Sequence, residues 1–416
     1  MLRSMPDQPA ADAPLAGIVV ADLSRVLAGP LVGATLADLG ARVIKVEQPG
    51  SGDGTRAWSP PASATGSTYF DSANRGKESV ALDLADPGDA ALARELVARA
   101  DVVIENFRPG AAARLGLDRD ALLAEHPRLV WCSITGYGAQ PGGAERAGYD
   151  FVLQAASGLM HITGDADGPP TKAGVALVDV LTAKDALAGI LAALLRRERK
   201  GRGGLVEVAL LSSVQAALVN QLQSVLGPIA PESSDAEATP AESPARPVEP
   251  RRAGSAHPSI VPYQLLETAD GPLAVAIGTD AQFRAFAALL GAPGLADDAR
   301  FTTNARRVAH REGLVPLLEA ALAAGGALEW EHRLLDAGLV ASRVRTIGEG
   351  LELAAAVGLD PIREVRGAAG VGRQLASPIR IDGVARTATT APPLLGEHDA
   401  SVRAWLSRPA TDEGAP

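Results

Sequence analysis

The chain has almost no cysteine: one residue, Cys132, in 416. That excludes a disulfide framework and any cluster of thiolate metal ligands. Cys132 lies in the apolar run LVWCSITG and reads as a small core residue rather than a nucleophile. Long apolar runs are also missing. None approaches the roughly 20 residues needed to span a bilayer. The N-terminus, MLRSMPDQPAADAPLAG, has Asp and prolines where a signal peptide would carry its apolar core. A cytoplasmic protein without membrane partners is therefore expected. Excess positive charge is absent too. A net charge of −10 argues against nucleic acid as the main partner, though not against a phosphorylated ligand held in a local basic pocket.

Several catalytic signatures are missing. GSGDG (50–54) and GYG (136–138) lack the G-x-G-x-x-G spacing of a dinucleotide fold, and no P-loop motif occurs. These glycines read either as tight turns or as places where backbone approaches a ligand closely. The six histidines (126, 161, 257, 310, 332 and 398) show no i, i+4 zinc spacing, so no metal site is expected. There is no G-x-S-x-G elbow, and Ser133 in SITGYG has the wrong surroundings for a hydrolase nucleophile.

What is present is a globular composition, 47% hydrophobic and 21% charged. At 416 residues two domains are the default. Short β-type runs alternate with helical stretches: GIVVADL, ARVIKVE, SVALDL, DVVIENF, LVWCSITG and LVEVALL, with VALVD extending the set. This alternation implies an α/β domain with a parallel sheet, whose ligands bind at the carboxyl ends of the strands. A Pro/Ala/Glu/Ser-rich stretch then interrupts the pattern. The expected layout is a large domain over 17–225, a linker over 226–256, a smaller α+β domain over 257–325 and a return to the large domain over 326–408. In the tail, SPIRIDG and ARTATT read as a hairpin around Asp382-Gly383.

The stretch Lys172–Gly204 organises the chain. An apolar run leads to Asp179, and a strongly apolar helix ending in a basic cluster follows. Thr182 and Asp185 have capping-box spacing, which would free Asp179 from capping duty. Asp179 then stands at the exit of a strand and ahead of a helix N-terminus, where anions are favoured. The plainer reading is that it caps the helix. Arg25, Arg56, Arg75, Lys77, Arg108 and Arg114 gather near strand ends. They are either solvated loop charges or a site for a polyanion.

The stretches DLSRVLAGP, LADLGARVIKVEQPGSGD, SANRGKESVALDL, ADVVIENFRPG, SITGYG, AGYDFVLQAASGLM, GVALVD and GRGGLVEVALL together resemble the class III CoA-transferases, the CaiB/BaiF family. The resemblance implies a Rossmann-like large domain formed by both chain ends, a smaller inserted domain, and a homodimer interlocked like links of a chain. It places the family nucleophile at Asp179. CoA contacts fall at Val26, Leu27, Ala28, Lys77, Asn106, Phe107, Arg108 and Arg114. Arg25, Arg56, Tyr137, Tyr149, Gly254 and His257 are candidates around the acyl group. The oxyanion donors are expected at the helix start after Val180 or in the GSAH loop (254–257).

The implied activity moves CoA from an acyl-CoA to a free carboxylic acid through aspartyl intermediates. Coenzyme A is part of the substrate and no tightly bound cofactor is needed. Two family features are absent: a Gln at the position of Leu27 and a cation at that of Thr135. The related 2-methylacyl-CoA racemases carry a histidine where this chain has Tyr149, a poor proton acceptor near neutral pH, so transfer is preferred to racemisation. A CoA-binding protein without turnover is the other alternative. SAHPSIVPYQLLETADG is similar to the subgroup acting on short dicarboxylates such as succinyl-CoA. Arg25, Arg56, Arg251 and Arg252 could pair with the second carboxylate.

Overall fold

A computed structural model describes residues 12–227 and 247–408. The chain divides into two compact units. Unit 1 takes the chain up to Ser157, Ala173–Gln223 and the chain from Leu359. Unit 2 takes Gly158–Lys172 and Ser224–Gly358.

Unit 1 is built on six strands: β1 Val19–Asp22, β2 Arg42–Glu47, β3 Lys77–Ala81, β4 Val102–Glu105, β5 Val130–Thr135 and β6 Gly204–Ala209. Their order is β3-β2-β1-β4-β5-β6, and every pairing is parallel. This is the doubly wound order, which reverses direction between β1 and β4 and opens a crevice at their carboxyl ends. Such a sheet is covered on both faces, so its strands read as continuous apolar runs rather than alternating ones. Val20, Ala21, Val102, Val103 and Ile104 are all fully buried.

One face is packed by α1 (Ala28–Asp38) and the long α5 (Leu177–Lys200). The other carries α2 (Pro87–Arg99) and α3 (Arg119–Glu125), with Leu96, Val97 and Leu122 in the core. Asp86 caps α2 by accepting from the N–H groups of Gly88 and Asp89, and Pro87 occupies the first turn where its missing N–H costs nothing. Two further helices are α4 (Asp150–Ala156) and α6 (Leu210–Ala217). α5 buries Val178, Thr182, Ala186, Ile190 and Ala193 along one stripe and ends at Gly201, whose φ of 72° only glycine adopts readily. Arg197, in its last turn, pairs with Asp101 at 2.7 Å, and Asp101 also accepts the Val19 N–H at 2.8 Å. The end of the helix is thereby tied to the start of β1.

Unit 2 has a three-stranded antiparallel sheet of β7 (Tyr263–Glu267), β8 (Pro272–Ala276) and β9 (Val340–Arg343), in the order β9-β8-β7. Helices α7 (Asp280–Leu289), α8 (Arg311–Leu322) and α9 (Ala327–Asp336) enclose its own core of Phe283, Phe286, Leu318 and Trp330. The return to unit 1 therefore comes at Leu359 and not at 326, because α9 and β9 complete the small sheet. Most of the linker expected over 226–256 lies outside the described residues. The returning chain forms a hairpin, β10 (Ile362–Gly367) with β11 (Gly370–Leu375), and then the expected pair β12 (Arg380–Ile381) and β13 (Val384–Ala385). Its last helix, α10 (Asp399–Leu406), lies beside α2 and β3. Ser79 and His398 exchange hydrogen bonds there: the Ser79 N–H donates to His398 Nδ1 at 3.1 Å, and the His398 N–H donates to the Ser79 carbonyl at 2.9 Å.

Two local expectations are corrected. VALVD is not a strand; Leu177 already begins α5, and Asp179 sits in its first turn. Thr182 and Asp185 form no capping box, for Thr182 lies inside the helix and its hydroxyl donates to the Val178 carbonyl at 2.8 Å.

Candidate active site

α5 opens without a cap of its own: Ala176 holds the N-cap position and offers no side-chain acceptor. The acceptor comes from α4. One oxygen of Asp150 takes the Val178 N–H at 2.7 Å and the Asp179 N–H at 3.3 Å. Its other oxygen accepts Gln154 Nε2 at 2.6 Å, and Gln154 Oε1 in turn accepts the Ala173 N–H at 2.8 Å. The loop before α5, the cap and the helix are thus locked together through two side chains one turn apart on α4.

Asp179 is only 8% exposed. Burial, reinforced by the Asp150 carboxylate, pushes its carboxyl up to about 7. Tyr69 lies within electrostatic reach of both carboxylates. Its hydroxyl is raised by burial and then by Asp179 and Asp150. Its ring meets that of Trp58 at a centroid distance of 5.0 Å. Asp150, Gln154, Tyr69 and Trp58 were not singled out from the sequence. The only local signal was the i, i+4 pair Asp150–Gln154 on one helical face.

The remaining N–H groups at this helix start are not free to hold an oxyanion. That of Leu177 donates to the Val175 carbonyl at 2.8 Å and that of Val180 to Ala176 at 3.2 Å. With Val178 and Asp179 serving Asp150, the expected donors after Val180 are spent on the helix itself. In unit 2, Gly254 has a φ of 58° and its N–H donates to the Gly164 carbonyl. The His257 N–H donates to the Tyr263 carbonyl, and the His257 ring packs against Tyr263.

The structure brings most of the predicted CoA residues together at the carboxyl ends of β1 and β4. The Arg25 N–H donates to Asn106 Oδ1 at 2.9 Å, and Asn106 Nδ2 donates back to the Arg25 carbonyl at 2.7 Å. The Arg25 guanidinium lies 5.9 Å from the Phe107 ring centroid. Val26, Leu27 and Ala28 lead from this junction into α1. Val26 has a φ of 72°, a region that β-branched residues rarely enter. Its N–H is held by Asp53 at 3.2 Å. Beside them opens a cavity of about 520 Å³ lined by Arg25, Gly52, Asp53, Leu84, Phe107 and Leu115, among others.

The six cations divide into two groups. Lys77, Arg56 and Arg75 are buried and spent. Lys77 donates to Asp22 at 2.8 Å, the Pro30 carbonyl at 2.7 Å and Asn74 at 2.9 Å, which uses all three of its protons. Arg56 pairs with Glu47 at 2.6 Å and donates to the Thr65 carbonyl, with Phe70 beneath its guanidinium. Arg75 pairs with Asp38. Both side chains expected at the ligand thus turn inward: Lys77 has all three protons engaged, and Arg56 has four of its five N–H groups engaged. Arg25, Arg108 and Arg114 are exposed and form no ion pair among the described residues. Tyr137 is half-buried with Arg146 over its ring, while Tyr149, at the N-cap of α4, is 62% exposed.

Residues 15–399 match the family model described as CoA-transferase family III. The succinate–glutarate CoA-transferase of Agrobacterium fabrum is 39% identical, over 97% of this chain and 98% of that protein. The succinyl-CoA:glutarate CoA-transferase of Mus musculus is 38% identical, over 97% and 88%. Among solved structures, a CAIB/BAIF family protein from Brucella suis aligns with a TM-score of 0.80 at 39% identity, covering 95% of this chain and all of that one.

Proposed function

The chain belongs to CoA-transferase family III, and on that premise we propose that it carries CoA from succinyl-CoA to a second free dicarboxylic acid through covalent intermediates on Asp179. CoA transfer between carboxylic acids is the family's activity. The observation supporting this route is a nearly buried carboxylate in the first turn of α5, with no hydrogen bond to its oxygens among the described residues.

The steps balance as follows. The Asp179 carboxylate attacks the thioester carbonyl, forming an acyl-aspartyl anhydride and expelling CoA thiolate. The thiolate attacks the aspartyl carbonyl of that anhydride, giving an aspartyl-CoA thioester and releasing the first acid as its carboxylate. The second acid's carboxylate attacks this thioester, re-forming an anhydride and freeing the thiolate. The thiolate then attacks the new acyl carbonyl, and Asp179 leaves as a carboxylate.

The open cavity beside Arg25 and Phe107 is proposed for the CoA nucleotide, with Arg25 on its wall and the exposed Arg108 and Arg114, which follow β4 in the chain, as candidate partners of its phosphates. The relatives' names support short dicarboxylates as the acids. Arg56 is held by Glu47, which leaves the exposed Arg25 as the better candidate partner of the second carboxylate. The chain is proposed to act in the cytoplasm, as an interlocked homodimer with unit 2 as the inserted smaller domain and without a tightly bound cofactor.

Incubation with succinyl-CoA and glutarate, followed by mass spectrometry, tests the reading. It expects glutaryl-CoA as product and an adduct on Asp179 that Asp179→Ala cannot form. Full turnover in the alanine variant would refute the covalent route. Solvent deuterium appearing at the α-carbon without any acceptor acid would favour racemisation instead.

A further inference from the structure

We infer that Asp150 is a positioning residue for Asp179: it caps α5 from outside the helix, fixes the turn that carries the nucleophile, and places its own negative charge near it. The inference rests on the assignment of Asp179 as the attacking group.

Three observations carry it. First, α5 is 24 residues long and opens on Ala176, which cannot cap it. Its side-chain acceptor stands 28 residues upstream of Val178. Second, Asp150 has both oxygens engaged, one by two backbone N–H groups of α5 and the other by Gln154. Gln154 is fully buried and is itself tied to the Ala173 N–H, so the carboxylate is held in one orientation. Third, the half-buried Asp150 carboxylate acts electrostatically on the nearly buried Asp179 carboxylate. Asn or Ser would accept the same N–H groups without that repulsion. A negative cap beside a negative nucleophile is therefore costly as structure alone.

It is useful for catalysis. A neighbouring charge makes Asp179 more basic, and a more basic carboxylate is the stronger nucleophile once ionised. The electrostatic partners here are Asp150 from α4 and Tyr69 from the short helix Thr68–Ser72 before β3. Lys184 and Asp185, further along α5, are exposed.

The test compares wild type, Asp150→Asn and Asp150→Ala in the full-length protein. Adduct formation from succinyl-CoA and kcat are followed across the pH range, with Tm measured alongside. Asp150→Asn keeps an acceptor for the α5 N–H groups and removes the charge. Its acid limb should move to lower pH by about one unit. Asp150→Ala removes the cap as well, and kcat should fall by roughly tenfold or more while the KM for succinyl-CoA changes little. The asparagine variant should recover most of that loss. An acid limb in Asp150→Asn that coincides with wild type overturns the inference. So does a loss in Asp150→Ala that only follows a lowered Tm. If wild type itself forms no Asp179 adduct, the covalent reading fails; an adduct with an unshifted limb refutes the role of Asp150 alone.

Discussion

Asp179→Asn offers a direct measure of how the fold treats the carboxyl of Asp179, the proposed nucleophile. In the folded chain the carboxyl is raised from 3.8 to about 7, by burial and then by Asp150. In the unfolded chain it titrates at its ordinary value. Between those two values the folded state therefore binds more protons, and stability must fall as pH rises through the interval, levelling off above about 7. Each unit corresponds to roughly 1.4 kcal/mol, so the full effect approaches about 4 kcal/mol at alkaline pH. Some 2 kcal/mol of it develops between about pH 5 and 7. Asparagine has the same shape and does not titrate. The Tm of the variant minus that of wild type should thus grow with pH. For a protein of this size it should gain roughly 4 °C from about pH 5 to 7 and little more above about pH 8. Thermal unfolding in a series of buffers at constant ionic strength measures it. A difference that stays flat across this range would refute the claim that folding holds a proton on Asp179.

Lys77→Ala should leave Asp22 buried without its partner, costing about 3–5 kcal/mol and lowering Tm sharply. If Lys77 instead held CoA, KM would rise at unchanged Tm. Gly33 lies on α1 where an added Cβ would stand 2.9 Å from Asp22 Oδ2 and 3.1 Å from Lys77 Nζ. Gly33→Ala should therefore destabilise by about 1–3 kcal/mol through overpacking, despite alanine's better helix propensity, as denaturant titration would show. Arg108→Ala and Arg114→Ala should each raise the KM for acyl-CoA by up to about tenfold and weaken its salt dependence, with Tm little changed, if these exposed cations bind phosphate.

Much of the large sheet was legible because parallel strands buried on both faces carry unbroken runs such as VVAD and VVIE, and their helices carry caps such as Asp86-Pro87. The start of α5 was misread for a physical reason. Its first residues are apolar and β-branched, like a strand, and its cap lies outside the local sequence, in Asp150. No spacing rule links carboxylates 29 residues apart. Sequence position places Lys77 and Arg108 alike at strand ends and does not separate them. Burial, which decides whether a charge faces a ligand or an internal carboxylate, is set by tertiary packing: Lys77 points at Asp22 and Arg108 at solvent. The small unit's boundary was missed because β9 joins its sheet from 64 residues beyond β8, counting from Ala276 to Val340.

The pairing of His398 with Ser79 has a bearing on how the protein is made. β3 is the outer strand of the large sheet, and the segment that engages it follows unit 2 in the chain. The Ala81 N–H is likewise taken by Asp399, and Arg403 reaches the Ala81 carbonyl. While unit 2 is being synthesised, this flank lacks its partners and offers unpaired backbone to any neighbouring strand. Unit 2, whose core is drawn from residues that emerge together, has no such wait. Synthesis paused or cut short after unit 2 would yield a folded small unit joined to an adhesive large one.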